Sequence, residues 1–239
     1  MSELVRTHST PHGRVALVLT LAGVGSALLL IPYLRELMPD LMRQIDRESP
    51  IPLPLIIVLQ TGLYFTFGSW LGLRAGYALG LDAPWLRALV YRKALPPGTR
   101  RTFGLSALLG FGLGSLDLGF MTLVLPLLPH TSQPLPQGLP RWKCFLASFY
   151  GGIGEEIFSR LIVMTLLVWV LAKVFSRSQA RAPTWVYSVS AVLAGAIFAA
   201  GHLGAAAQLW PLTPLVLVYV MVANMIVGVP LGFVFWKRG

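Results

Sequence analysis

The sequence contains few charged residues and only one cysteine. Asp, Glu, Lys and Arg make up 12% of its 239 residues, against about 25% in soluble domains. Hydrophobic residues make up 55%, a balance typical of a polytopic membrane protein rather than a soluble globule. Because Cys144 is the only cysteine, an internal disulfide and zinc sites built from cysteine pairs are excluded.

Several common catalytic patterns are also absent. The chain has no HExxH, no GxSxG and no glycine-rich phosphate loop, which argues against the usual zinc peptidase, serine hydrolase and nucleotide-binding sites. The net charge of +10 permits nucleic-acid binding in principle. The cations, however, lie in short clusters beside apolar runs, as membrane topology requires. We therefore expect no nucleic-acid partner.

Six apolar runs are long enough, or nearly so, to cross a bilayer, which takes roughly 20 residues. The sequence therefore predicts an all-α membrane helix bundle with about six transmembrane helices. The first run follows a basic segment but has no small-residue cleavage site after it, so we interpret it as an uncleaved anchor. The predicted runs are 15–32, 53–73, 103–128, 142–172, 185–202 and 212–236.

The distribution of basic residues predicts that both ends of the chain are cytoplasmic. With the N-terminus inside, thirteen of the 19 Lys and Arg residues fall in inner segments, five fall in outer segments, and Arg160 alone lies within a run. The inner cations are Arg6, Arg14, Arg74, Arg87, Arg92, Lys93, Arg100, Arg101, Lys173, Arg177, Arg181, Lys237 and Arg238. We expect the protein in the cell membrane, with the lipid bilayer as its first partner.

The chain divides into two regions. Residues 1–140 form a region of three membrane helices with a basic inner loop, and the Pro- and Gln-rich stretch 130–140 is predicted to be an outer loop. Residues 141–239 carry the candidate chemistry. The glycines at positions 68, 72, 76 and 80 form a ridge of small residues typical of close helix packing. Within the long run 142–172, Gly151 and Gly152 predict a bent start, with the helix beginning afresh near Gly152.

Ionisable residues inside the predicted membrane runs are the main functional signal. Glu155, Glu156, Arg160 and His202 lie in apolar surroundings, where each charge near the bilayer centre costs about 2.5–3.5 kcal/mol on insertion scales. On a helix Glu156 and Arg160 share a face and can form an ion pair. Glu155 points about 100° away, so it is free for proton transfer, while His202 is suited to orient a water or bind a metal.

Plainer interpretations of these residues exist. An intramembrane Glu–Arg pair also fastens helices together, and a histidine at a helix end is commonly just hydrogen-bonded. For Asp117 and for Asn224, the only asparagine, helix packing is the favoured role. A contact of either residue with substrate or water is the alternative.

Two motifs in order resemble a known family, the CPBP intramembrane proteases, which include type II CAAX prenyl endopeptidases and bacteriocin-processing relatives. The signature EExxxR matches Glu155, Glu156 and Arg160, and FxxxH matches Phe198 and His202. The resemblance implies that Glu155 activates water for attack on a peptide bond, that Arg160 fixes Glu156, and that His202 binds the water or a metal. It leaves open whether zinc, with His202 and Glu155 as ligands, or a metal-free mechanism is used. The implied substrate is a membrane-associated or lipidated peptide.

The chain departs from the family at its third signature, a His followed four residues later by Asn or Asp. Asn224 is preceded at that distance by Val220, and residues 228–239 resemble the stretch that leads into the third motif. We expect the chain to stop short of that motif, and without it we predict little or no proteolysis. The alternatives are an inactive scaffold or bacteriocin-immunity-type protein, and a transporter with Asp117, Glu155 and His202 as a proton path.

The predicted depth of the site conflicts with one expectation drawn from the family. Glu155 and His202 fall in the middle to outer half of the bilayer, whereas a prenylated protein tail would arrive from the cytoplasmic side. Three explanations stay open: the cavity is deep, the predicted orientation is wrong, or the substrate is not a prenylated tail.

Overall fold

The computed structural model of the protein describes residues 12–131, 138–175 and 182–238, and within these ranges it contains helices and no strand. Six helical segments are long and apolar enough to cross a membrane, which confirms the predicted six-helix bundle. These segments are Gly13–Leu37, Leu53–Tyr77, Thr99–Leu127, Arg141–Phe175, Thr184–Leu209 and Pro214–Arg238.

Shorter elements complete the fold. In chain order we label α1 Gly13–Leu37, α2 Pro39–Glu48, α3 Leu53–Tyr77, α4 Pro84–Val90, α5 Thr99–Val124, α6 Arg141–Phe175, α7 Thr184–Gly201, α8 Leu203–Leu209 and α9 Pro214–Arg238.

Most helix ends lie a few residues beyond the predicted runs. The first run was expected to end at Pro32, but α1 continues through Pro32 to Leu37, as prolines in membrane helices commonly allow. His202 was expected to close the fifth run, but it is the single residue between α7 and α8. The site residue therefore lies at a junction of two helices within the long apolar segment Thr184–Leu209.

The helices pack unevenly around α6. Its C-terminal half lies between α3 and α7, whereas its N-terminal half packs mainly on α1. The glycine ridge of α3 makes the first contact possible, because a Cβ on Gly72 would collide with the carbonyl oxygen of Leu161 and a Cβ on Gly68 with Ile162. Helix α9 packs along α7. These contacts hold the C-terminal half of α6 on several sides.

Helix α5 lies at the edge of the bundle. It packs on α9 near its C-terminal end, and near its start Phe103 stacks on Trp85 with ring centroids 4.4 Å apart. Most of its side chains are exposed, as expected for a helix that faces lipid. The predicted basic inner loop contains α4, and within it Arg87 and Asp82 form an ion pair of 2.7 Å.

The orientation of the bundle and the division at residue 140 stay predictions. Arg6, Arg177 and Arg181, which support the N-in orientation, lie outside the described residues, as do residues 132–137 of the predicted outer loop.

Candidate active site

Helix α6 changes its hydrogen-bonding pattern at the site. It contains two π-helical stretches, Tyr150–Gly154 and Ile157–Met164, which flank Glu155 and Glu156. The helix does not begin afresh near Gly152, contrary to the expectation from sequence; it is continuous from Arg141 to Phe175. Turns of π-helix are rare in proteins, and those that occur often lie at functional sites. The glycines before Glu155 were the only sequence signal of this irregularity.

The second acid of the pair, Glu156, lies against Arg160. The Oε2 of Glu156 is 3.2 Å from Nε of Arg160, although this nitrogen lacks hydrogen-bond geometry to any partner, so the attraction is mainly Coulombic. Arg160 is only 4% exposed. Its Nη2 donates a hydrogen bond of 3.2 Å to the carbonyl oxygen of Gly228 on α9. The arginine therefore ties α6 to α9.

The first acid, Glu155, turns to a different helix. Its Oε1 lies 3.6 Å from Nε2 of His202, a contact longer than a direct hydrogen bond. The Nδ1 of His202 lies 2.9 Å from the carbonyl oxygen of Phe198. Because that oxygen can only accept, Nδ1 carries a proton and donates it, which leaves Nε2 facing the carboxylate.

Phe198 contacts both the Glu156–Arg160 pair and the Glu155–His202 pair. The guanidinium carbon of Arg160 lies 5.6 Å from the centroid of the Phe198 ring, within the range of a cation–π interaction. The same ring meets the imidazole of His202 edge to face, with centroids 4.7 Å apart. In the sequence Phe198 stands out only as the first residue of the FxxxH signature. In the structure its ring lies between the side chains of the buried Arg160 and His202.

The two pairs differ in their surroundings. The side chains of Glu155 and His202 are 25% and 36% exposed. Glu156 and Arg160 instead line a cavity of about 320 Å³ between α1, α4, α6 and α9. The cavity is otherwise mostly apolar, and its lining includes Leu19, Asp82, Trp85, Ile157, Leu231 and Phe235.

The other two candidates lie apart from this cluster. Asp117 is on α5, which packs on α9 rather than on α6. One of its carboxylate oxygens is buried without a hydrogen-bond partner. Asn224 donates a hydrogen bond of 2.8 Å to the carbonyl oxygen of Val220 within α9. The structure gives neither residue a contact with Glu155 or His202.

The residues at the site do not by themselves fit zinc. Catalytic zinc takes three protein ligands as a rule. Among residues 12–131, 138–175 and 182–238, no three His, Cys, Asp or Glu side chains converge. Glu155 and His202 supply two donors only.

The comparisons agree with the motifs. Residues 137–239 match the family model described as "Type II CAAX prenyl endopeptidase Rce1-like", which confirms the resemblance drawn from the EExxxR and FxxxH signatures. The matched region contains all four charged site residues. Neither a curated protein nor a solved structure matches the chain.

The fold and the family match together define the class of protein. It is a multi-pass helical membrane protein whose C-terminal region resembles a CAAX-protease-like intramembrane peptidase.

Proposed function

We propose that the protein is an intramembrane endopeptidase in which Glu155 and His202 activate water. The observation that carries this proposal is the approach of a carboxylate on α6 to an imidazole on the α7–α8 junction, with Nε2 of the histidine directed at the acid. Two such groups from separate helices, both partly exposed, form a general base with a partner that holds the same water.

The steps follow from the proton positions. The water oxygen attacks the carbonyl carbon of the peptide while Glu155 takes a proton from it, and a tetrahedral intermediate forms. The C–N bond then breaks, and Glu155 returns the proton to the leaving amine. His202, fixed by its Nδ1–H bond to the carbonyl oxygen of Phe198, orients the water by accepting a hydrogen bond from it at Nε2.

Glu156 and Arg160 act as positioning residues in this proposal. Their ion pair and the bond from Arg160 to Gly228 fix the rotation of α6, which directs Glu155 at His202. A zinc ion bound here would supply a Lewis acid, but the donor set is short of a ligand, so no step is assigned to it. The substrate of the proposal is a membrane-associated or lipidated peptide.

The test is the Glu155→Gln variant, assayed in proteoliposomes on quenched-fluorescence peptides anchored by one apolar helix or by a farnesylated cysteine. Loss of a general base lowers the rate by about 10²–10⁴-fold, so we expect cleavage to fall by at least two orders of magnitude. The thermal midpoint should not change, because Glu155 has no direct hydrogen bond to lose at 3.6 Å from His202.

The matched control is Asp117→Asn, the same type of substitution at a membrane carboxylate outside the cluster, and it should cleave at the parental rate. Cleavage retained by Glu155→Gln would reject the base assignment. If the parental protein binds these peptides without cleaving any of them and Glu155→Gln binds equally well, the inactive scaffold is the better description.

A further inference from the structure

We propose that one end of the helix bundle binds the anionic headgroups of lipids in the adjacent leaflet. The binding surface, which we call the basic rim, consists of seven cations at helix ends and in the connection between α4 and α5. The rim belongs to one end of the bundle whichever side of the membrane that end faces, so neither the orientation nor the proposed function is assumed. Its members are Arg74, Arg92, Lys93, Arg100, Arg101, Lys173 and Lys237.

Ring contacts and one hydrogen bond bring the ends of four helices together at the rim. Tyr187 of α7 stacks on Trp236 of α9, with ring centroids 4.9 Å apart. Its hydroxyl donates a hydrogen bond of 2.7 Å to the carbonyl oxygen of Leu79, just beyond α3. At the end of α6, Phe175 meets Trp185 of α7 edge to face at 5.5 Å. The cations at the ends of α3, α6 and α9 therefore surround one end of the bundle.

At three of these helix ends a cation lies over a tryptophan ring. The distances from the cation to the ring centroid are 5.4 Å for Arg74 over Trp70, 3.8 Å for Lys173 over Trp169 and 3.5 Å for Lys237 over Trp236. All three cations are nevertheless exposed. Tryptophan rings and long cationic side chains at helix ends are typical of the lipid headgroup level. The rim therefore lies where a headgroup phosphate can reach it.

The two ends of the bundle differ in how their cations are neutralised. Within the described ranges, Asp82 is the one acid at the rim end, and it pairs with Arg87 at 2.7 Å. The seven rim cations are all exposed, and the described residues offer them no carboxylate. At the opposite end, three of the five cations form ion pairs, which are Arg35–Asp46, Arg43–Asp40 and Lys143–Glu36. The rim is thus the end with uncompensated positive charge, and such charge at a membrane surface attracts anionic lipid.

Exposed apolar side chains among the cations favour a lipid over a soluble anion. Val90 of α4 packs against a buried cluster of α1, α3 and α6, whereas Leu89 is 64% exposed and Leu95 is 48% exposed. Arg92 and Lys93 lie between these two leucines in the sequence. At a bilayer surface the leucines enter the acyl boundary while the cations meet the phosphates. A free anion or a nucleic acid would leave the leucines in water.

The test uses tryptophan fluorescence, because five of the seven tryptophans lie near the rim. The protein is reconstituted in mixed vesicles of phosphatidylglycerol and phosphatidylcholine in which the acyl chains of one lipid or the other are brominated and quench the rings. The ratio of quenching gives the relative affinity. We expect about fivefold selection of phosphatidylglycerol, the effect of one cation near a membrane surface. The selection should disappear at about 1 M NaCl, where charges are screened within about 3 Å.

Two variants locate the selection on the protein. The rim variant combines Arg92→Gln, Lys93→Gln, Arg100→Gln and Arg101→Gln. The matched control removes the same number of exposed cations from the opposite end, with Arg35→Gln, Arg43→Gln, Arg47→Gln and Arg141→Gln. We expect the rim variant to retain less than about twofold selection and the control to select as the parental protein does. A variant with Arg92→Lys, Arg100→Lys and Arg101→Lys keeps the charge and should keep the selection.

Several outcomes would overturn the proposal. They are equal quenching by the two brominated lipids in the parental protein at low salt, unchanged selection in the rim variant, and an equal loss in the rim variant and the control, which would reflect net charge alone. Inorganic phosphate that abolishes the selection at constant ionic strength would assign the rim to a soluble anion. An oligonucleotide that binds the parental protein but not the rim variant, in the absence of lipid selection, would assign it to nucleic acid.

Discussion

Glu155 and Glu156 are neighbours in the sequence and occupy two different environments. Glu156 pairs with an almost fully buried arginine that is bonded to α9. Glu155 faces a partly exposed imidazole across a gap of 3.6 Å. Removing the partner of a buried cation costs stability because its charge is left uncompensated, whereas a contact too long for a direct hydrogen bond leaves the carboxylate available for proton transfer. We therefore expect Glu156 to stabilise the fold through Arg160 and Glu155 to carry out proton transfer.

The largest difference should appear when the same substitution is made at both acids. Glu156→Gln leaves the guanidinium of Arg160 without a counter-charge, and we expect the free energy of unfolding to fall by about 3 kcal/mol. This is the lower end of the range for a broken buried pair, because the Glu156 side chain is 35% exposed. Glu155→Gln should leave stability unchanged. Equal thermal midpoints of the two variants in detergent would contradict this division.

A second prediction concerns the close packing beside the first π-helical stretch. A Cβ on Gly154 would lie 2.9 Å from the ring of Tyr150 and 3.0 Å from the hydroxyl of Ser26 on α1. Gly154→Ala should therefore push α6 from α1 and lower stability by about 1–3 kcal/mol, as overpacking does, with a loss of activity as Glu155 moves. Nothing lies within 4 Å of a Cβ on Gly152, so Gly152→Ala is the matched control. Equal thermal midpoints for the two variants would mean that the contact between α1 and α6 is not a constraint.

A third prediction tests the ring between the two pairs. Phe198→Leu removes the cation–π contact with Arg160 and the edge contact with His202, each worth about 0.5–2 kcal/mol. We expect kcat to fall about tenfold while KM changes little, because the ring orients His202 without contacting substrate. The control is Phe233→Leu, on α9, whose ring packs against the apolar cluster around Met164 and Val186; this variant should reduce stability but not kcat. A change in KM alone would place Phe198 at the substrate instead.

The sequence predicted the spans and the pairing of charges, but not the irregular parts of α6. Long apolar runs indicate membrane-spanning helices, and residues four apart share one face of a helix. The bundle and the Glu156–Arg160 pair could therefore be predicted from the sequence. The approach of Glu155 to His202 depended on matching two motifs. The π-helical stretches depend on hydrogen-bond register; the glycines before Glu155 indicated an irregularity there but not its kind. Short α2 and α8 fall below the length at which a membrane run is recognised.

The smallest predicted effect is at His12, away from the Glu156–Arg160 and Glu155–His202 pairs, where the N-terminal end of α1 meets α4. Burial, followed by the nearby charge of Arg87, lowers the pKa of His12 from 6.5. The Nη2 of Arg87 lies 3.3 Å from Nδ1 of His12, and since a guanidinium can only donate, the histidine accepts this bond in its neutral form. Asp82 opposes the shift, Arg74 adds to it, and Tyr77 packs against the imidazole.

Because the folded pKa of His12 lies below the unfolded one, the folded state loses stability as the pH falls below about 6.5 and is unaffected above it. A His12→Gln variant should show a smaller decrease in thermal midpoint between pH 7.5 and pH 5 than the parental protein, and an equal decrease would show that His12 does not contribute.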